Sequence, residues 1–488
     1  MAAIDAAATA LTFGDDVYSW GHVAQAIDDL ESLLAAHPAA QRIGIVLRNR
    51  PGPFFAVVAT IATGRSLITL SPHLGDVGLA EDVTELAPDV IIAEDDDWCR
   101  PLLCASAEQV GAVPLRASSG RALSARPASW TPSPELRPTD DVAVLMMTSG
   151  TTGRPKRVAL SYQRLVAAFG AAGTPIDDAT DLRLPSRPAI LWASLAHISG
   201  LYFAVAHAAE GRCVALLERF DVQEWAHLVR RHRPAHVRLA PTALRMVLDA
   251  DLPVETFGSV KAVGSGTAPL PPDLADAFEE KYGVPVLGNY GATEFAGAVA
   301  GWSLKDKTRW GAQKRGSVGR AHPGIELRVI DRDQGAPLPA GEIGVLWARG
   351  GQIPTQNGSW LETTDLAYID EDGFVFIHGR VDEAINRGGF KIPPSVIEDA
   401  LTRHPAVDEA CAVALPDDRL GQVPAVAVTL RHPATEAELM GFLSERVTSY
   451  QRPVVLRVVS DLPRTPSMKV SRAMVRDQLL SSPERSRS

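Results

Sequence analysis

The sequence predicts an α/β fold, with a large N-terminal domain of mixed and parallel sheets with helices and a small α+β C-terminal domain. Three observations carry this reading. Up to about residue 350, short β-branched runs alternate with helical stretches, the pattern of largely parallel strands buried on both faces. Near residue 380 the pattern becomes helix, strand, strand, helix, strand, a compact unit of its own. The chain has 488 residues, more than one domain usually takes at roughly 100–200 residues each.

In chain order, Ile43 to Leu47, Val90 to Ile92, Val142 to Met147 and Val284 to Leu287 read as strands. Asp273 to Tyr282 (DLADAFEEKY) has the spacing of an amphipathic helix that ends at Gly283. Arg126 to Pro138 is proline-rich and reads as a surface loop ahead of a buried strand. Beyond residue 380 the expected elements are a helix from Pro394, strands at Ala410 to Leu415 and Val423 to Leu430, a helix from Thr435 and a strand from Val454. The polar residues 481–488 read as a disordered tail.

Hydrophobic residues make up 46% and charged residues 22%, which excludes a fibrous or disordered chain. The net charge of −10 offers no basic excess for a nucleic-acid backbone or an anionic bilayer, so an anionic ligand has to be met by a local site. The four cysteines, Cys99, Cys104, Cys213 and Cys411, include no C-x-x-C pair, and no Lys or Arg precedes Arg42 to form the positive region of a secretory signal. The apolar window Leu191 to Ala209 contains Ser194, His197, Ser199 and His207, which are costly in hydrocarbon, so no membrane span is expected. A cytoplasmic protein follows as the expectation.

The most informative segment is Leu145 to Val158 (LMMTSGTTGRPKRV), an apolar strand running into Thr148, Ser149, Gly150, Thr151, Thr152, Gly153 and Lys156. Glycines allow close backbone approach, hydroxyls donate and Lys156 supplies charge, as a phosphate cradle requires. The glycine spacing is not that of a Walker A loop, and such a loop is also compatible with an ordinary turn. Asn289 to Glu294 (NYGATE) adds an aromatic face at Tyr290, a hydroxyl at Thr293 and a carboxylate at Glu294 suited to Mg²⁺, although a buried Tyr and a capping Thr-Glu are common structural features too. Asp365 could accept from ribose hydroxyls and Arg380 could donate, and both are equally compatible with a turn aspartate and a surface arginine. His232 and His236 are spaced i, i+4, but Pro234 between them argues against a metal-binding helical face.

These segments, in this order, resemble the adenylate-forming superfamily of acyl- and aryl-CoA synthetases, luciferases and peptide-synthetase adenylation domains. The likeness runs from Tyr18-Ser19-Trp20 to Lys469. TSGTTGRPK is similar to the family's phosphate loop, SGTAPL (Ser265 to Leu270, with Gly266, Thr267 and Ala268) to its adenine turn, and NYGATE (with Asn289, Tyr290 and Gly291) to its next core motif. Trp360 to Ile392 resembles the ribose-binding and hinge region, and PRTPSMKVSR the loop carrying the adenylation lysine.

The resemblance implies ATP-dependent activation of a small-molecule carboxylic acid to an acyl-adenylate, with transfer to the thiol of CoA. Loading of a separate carrier protein and a catalytically impaired nucleotide-binding sensor are the alternatives. It implies Glu294 for Mg²⁺, Thr148 to Lys156 for the β- and γ-phosphates, Tyr290 for adenine, Asp365 with Arg380 for ribose, and Lys469 for the carboxylate and α-phosphate oxygens. His197 matches a histidine between the nucleotide and acyl pockets. The resemblance further implies an N-terminal adenylation domain over 1–380, a hinge over 381–383 at Asp382 and a mobile C-terminal domain over 384–480. Gly388 and Gly389 match the loop that flanks the pantetheine arm.

Three positions depart from the family pattern: Arg157, Thr364 and Met468 stand where glycine is usual. Met468, next to Lys469, is expected to weaken adenylation relative to thioester formation. No acid follows His197 to pair with an α-ammonium, which disfavours an amino acid substrate. Small residues at Gly264, Ala292, Ala296 and Gly297 predict space for a bulky apolar acid of fatty, aryl or polycyclic type.

Overall fold

The computed structural model describes residues 4–118, 123–136, 141–148, 156–173, 187–332, 334–355, 358–381, 383–388, 390–465 and 469–481. The chain forms two compact units, one of residues 1–149, 155–325 and 350–358, the other of 150–154, 326–349 and 359–488.

The first unit carries a seven-stranded sheet in the order Leu123–Ala125, Val113–Ala117, Val90–Ala93, Arg42–Val46, Ser66–Leu70, Val142–Thr148, Lys156–Ser161. Its central pairs are parallel and its two outermost pairs antiparallel. The middle strands have both faces covered, which is why they read as unbroken apolar runs: Ile43, Ile45, Ile68 and Ile91 are fully buried.

A second sheet begins with the parallel strands His236–Arg238, Ala262–Ser265 and Val286–Ala292, then adds Gly297–Gly301 and Arg320–Ala321 antiparallel. The helix Pro272–Tyr282 precedes the third of these, opened by a proline and closed by Gly283 in the left-handed conformation at φ 66°, as its pattern predicted. The third strand starts at Val286 rather than Val284 because Pro285 has no N–H to give to a ladder. A smaller sheet joins Ala189–Leu191, Val214–Leu216, Thr9–Phe13 and Asp16–Ser19.

The second unit contains a four-stranded sheet of Ile325–Ile330, Gly344–Gly350, Leu361–Ile369 and Val375–Arg380, its last two pairings antiparallel. Half-buried and exposed positions alternate from Leu361 to Asp365, so no apolar run announced that strand. These strands group with the C-terminal residues, ahead of the boundary expected at 380.

The C-terminal elements follow the predicted order: the helix Pro394–Thr402, a hairpin of Val407–Asp417 with Gly421–Leu430, the helix Glu436–Ser444 and the strand Val455–Val458. The first hairpin strand is longer than its apolar run because the backbone ladder continues through polar residues to the turn. Ser481, expected in the tail, is the last residue of the helix Arg472–Ser481. Residues 482–488, Asp382, Gly389 and Met468 lie outside the described residues. Among the described residues no helix is long and apolar enough to cross a membrane.

Candidate functional site

The expected site residues fall into two groups, one in each unit. In the first, Val142–Thr148 and Lys156–Ser161 form an antiparallel hairpin in which Thr148 and Lys156 are register partners. The two ends of the glycine-rich loop therefore face each other across the ladder; Ser149, Gly150, Thr151, Thr152 and Gly153 lie outside the described residues. Arg157, where glycine was expected, donates to the Thr69 carbonyl at 2.9 Å and pairs with Asp82. It ties the hairpin to the neighbouring strand and to the helix Gly75–Leu86.

The strand Ala262–Ser265 runs into the turn at Gly266, Thr267 and Ala268, where Thr267 takes φ 73°, a conformation rarely adopted by a β-branched residue. Ser265 is buried, and its Oγ has no hydrogen-bond partner among the described residues. A Cβ on Gly266 would lie 2.1 Å from Oδ1 of Asn289, so the lack of a side chain is what lets the two motifs meet. Asn289, Tyr290 and Gly291 belong to the strand Val286–Ala292, which folds back through Thr293, Glu294 and Phe295 into Gly297–Gly301. Gly291 faces the Gly297 carbonyl, 2.2 Å from where a Cβ would sit.

Glu294 is exposed at this bend. Its backbone carbonyl accepts from Arg164, which also donates to Gln352 at 3.0 Å, while Gln352 donates to the carbonyls of Phe295 (2.8 Å) and Ala298 (3.0 Å). Sequence reasoning missed Arg164 and Gln352, because nothing local marks a side chain whose partners lie more than fifty positions away. His197 occupies the N-cap position of the helix Ile198–Ala209, without a side-chain cap bond. The segment before it is held by buried Asn49, which donates to the carbonyls of Trp192 and Ala193 at 3.0 Å and accepts from Leu195 N–H at 2.9 Å. Asn49, too, carries no motif.

Two of the four small residues expected to leave open space, Gly264 and Gly297, have side chains of the chain close by. Arg238 and Gly264 are register partners on adjacent strands, and a Cβ on Gly264 would lie 3.2 Å from the Arg238 guanidinium. At Gly297 the corresponding position lies 3.3 Å from the Tyr202 ring. The two glycines accommodate large side chains of the chain itself. Burial pushes the Tyr202 hydroxyl up to about 12.

In the second unit, Asp365 and Arg380 are cross-strand partners, so the two residues expected at ribose share one face of the sheet. Thr363 sets the local backbone: its Oγ1 donates to the Leu346 carbonyl (2.7 Å) and accepts from Asp365 N–H (3.0 Å). Thr364, in place of a glycine, is exposed in the ordinary extended strand. Gly388 adopts φ 56° at a hairpin tip and donates to the Leu420 carbonyl at 2.8 Å. Beside it a recess of about 370 Å³ is lined by Arg387, Phe390, Leu420, Ser449 and Tyr450. Lys469 lies in a short bridge: its N–H donates to Thr465 Oγ1 at 3.3 Å and its carbonyl accepts from Thr465 N–H at 2.7 Å.

Among the described residues no group of three or more His, Cys, Asp or Glu could hold a metal ion by itself. An exposed Glu294 suits Mg²⁺, which keeps water and phosphate oxygens as its other ligands. His232 and His236 sit on different elements, a helix end and a strand start, and form no metal pair.

A family model described as AMP-binding enzyme matches residues 2–355, and one described as AMP-binding enzyme C-terminal domain matches 396–469. The chain is 29% identical to the 4-coumarate–CoA ligase-like 4 protein of Oryza sativa subsp. japonica, over 92% of this chain and 86% of that protein. Matches to five further plant 4-coumarate–CoA ligase-like proteins take in 60–64% of their length. It is 35% identical to a sulfoacetate–CoA ligase of Cupriavidus necator over 74% of this chain and 72% of that protein. Among solved structures, o-succinylbenzoate CoA synthetase of Bacillus subtilis with its acyl-adenylate superposes with a TM-score of 0.76, at 26% identity, covering 96% of this chain and 95% of that one.

Proposed function

The chain belongs to the AMP-binding enzyme family, and on that premise we propose that it is an acid–thiol ligase that makes an acyl-CoA from a carboxylic acid, ATP and CoA. In the first step a carboxylate oxygen attacks the α-phosphorus of ATP and pyrophosphate leaves. In the second the thiol sulfur attacks the acyl carbon, loses its proton, and AMP leaves. The observation that carries the reading is the contact of Gly266 with Asn289, which joins the adenine turn to the following core motif.

The proposed roles are those expected from the resemblance: Lys156 with its loop on the phosphates, Tyr290 on adenine, Asp365 and Arg380 on ribose, and Lys469 on the oxygens between acid and α-phosphate. Glu294 would hold Mg²⁺, which supplies neutralisation of phosphate charge when bound. Gly388 and Gly389 would flank the thiol's arm after the C-terminal domain turns about Asp382. The cysteines are all free, in keeping with a reducing, cytoplasmic setting.

Two features refine the earlier alternatives. Arg157 and Thr364 have ordinary structural surroundings, so these lost glycines give no support to an impaired sensor. The expected bulky apolar acid loses two of its supports, since Gly264 and Gly297 are backed by Arg238 and Tyr202. The relatives' names point to chemically different acids, among them sulfoacetate and o-succinylbenzoate. Pyrophosphate release with ATP and Mg²⁺ across a panel of acids, with and without CoA or a carrier protein, tests the proposal. Thioester formation with CoA is expected; transfer only to a carrier protein would select the second acceptor, and a folded protein that binds ATP but releases no pyrophosphate would overturn the ligase reading.

A further inference from the structure

Arg238 ends the first parallel strand of the second sheet, at the edge where ligands of open α/β sheets bind. Its guanidinium lies 3.8 Å over the Phe203 ring, and its neighbour across the ladder is Gly264, the residue leading into the adenine turn. Phe203 belongs to the helix that follows His197. Arg238 thus lies between the segments along which the proposed acid would extend.

Among the described residues, the Arg238 side chain has no ion pair and no hydrogen bond. Glu210, whose charge reaches it, is held by Arg212 at 2.9 Å. The residue is open to solvent, yet protein encloses the guanidinium closely enough for desolvation to lower its pKa to about 10. Its field, with that of Arg212 at His207 and of Lys261 and Arg212 at His236, adds to the burial that holds His207, His236 and His322 below the usual imidazole range. With one face stacked on Phe203 and no ion pair among the described residues, the guanidinium keeps its fork of donors for an anion.

Resting on the ligase reading, we propose that Arg238 selects the acid: stacked on Phe203 beside Gly264, it receives a second anionic group, carboxylate or sulfonate, at the far end of a compact substrate whose other carboxylate is adenylated. The side chains behind Gly264 and Gly297 keep the space short. A planar fork suits a carboxylate or sulfonate better than a lysine would.

The test compares chain-length-matched acids, butanoate and pentanoate against succinate, glutarate and 3-sulfopropanoate, in pyrophosphate release by the wild type, Arg238→Met and Arg238→Lys. The wild type is expected to prefer the dianions by about 100-fold in kcat/KM. Arg238→Met should lose about 10–100-fold on dianions, mainly through KM, and much less on monoanions. The ratio of succinate to sulfopropanoate distinguishes the two anionic groups. Equal use of both acid classes by the wild type, or equal losses on both in Arg238→Met, overturns the proposal. Calorimetric titration of succinate and sulfopropanoate into protein saturated with a non-hydrolysable ATP analogue separates it from the ligase reading. Dianion binding lost in Arg238→Met without any pyrophosphate release would sink the reaction and keep the anion site, whereas no dianion binding by the wild type would sink the site.

Discussion

The side-chain amide of Asn289 lies against the backbone of Gly266, with Oδ1 2.1 Å from where a Cβ on the glycine would be. Two segments 23 positions apart meet there because one of them has no side chain. Gly266→Ala is expected to displace Asn289, raising the KM for ATP at least about tenfold and lowering Tm. In the double variant Gly266→Ala/Asn289→Ala the clash is gone, so Tm should recover while the KM does not. Steady-state kinetics and thermal melts of the wild type and the two variants check both halves.

Lys469→Ala is expected to separate the two proposed half-reactions. Loss of a group that stabilises developing charge typically costs about 10²–10³ in rate. Isotopic exchange of pyrophosphate into ATP should fall by that factor, while CoA thioester formation from supplied acyl-adenylate stays within about threefold. Equal losses in both assays would remove Lys469 from adenylation.

Restoring the usual glycines should have opposite consequences at two positions. Arg157→Gly removes the link to Asp82 and the Thr69 carbonyl, both part-buried, and is expected to lower Tm and raise the KM for ATP, because the strand that follows the proposed phosphate loop loosens. Thr364→Gly touches only an exposed strand position, so it should leave the KM unchanged and lower stability by about 1 kcal/mol or less. Melts and ATP kinetics on both variants decide this.

Acid should destabilise the fold through its buried imidazoles. Burial holds His207 below the ordinary value of 6.5 despite Glu210 at 3.5 Å, and burial does the same to His322. The unfolded chain takes up protons below about 6.5 that the folded chain refuses, so stability is complete above that pH and falls as pH drops toward the folded values. Tm should decline from pH 7 to 5, and His207→Gln should flatten the decline. An unchanged slope in that variant would exclude His207 as a contributor.

The strands around Ile43, Val90 and Val142, the helix ending at Gly283 and the C-terminal element order were legible in the sequence, because apolar periodicity and terminating residues are local properties. The segments proposed to meet the nucleotide were marked locally too, because their hydroxyls, glycines and charges sit close together in the chain. Tertiary structure decided the rest. In the sheet from Ile325 to Arg380, the strand Leu361–Ile369 alternates half-buried and exposed positions at its start and shows no apolar run there. Asp365 and Arg380 become partners only through a ladder register, and Asn49, Arg164 and Gln352 act through contacts too distant in sequence for any local pattern to record. Gly264 and Gly297 show the reason most plainly: a small residue read by itself implies room, but whether that room is open depends on which side chain the fold brings across it, here Arg238 and Tyr202.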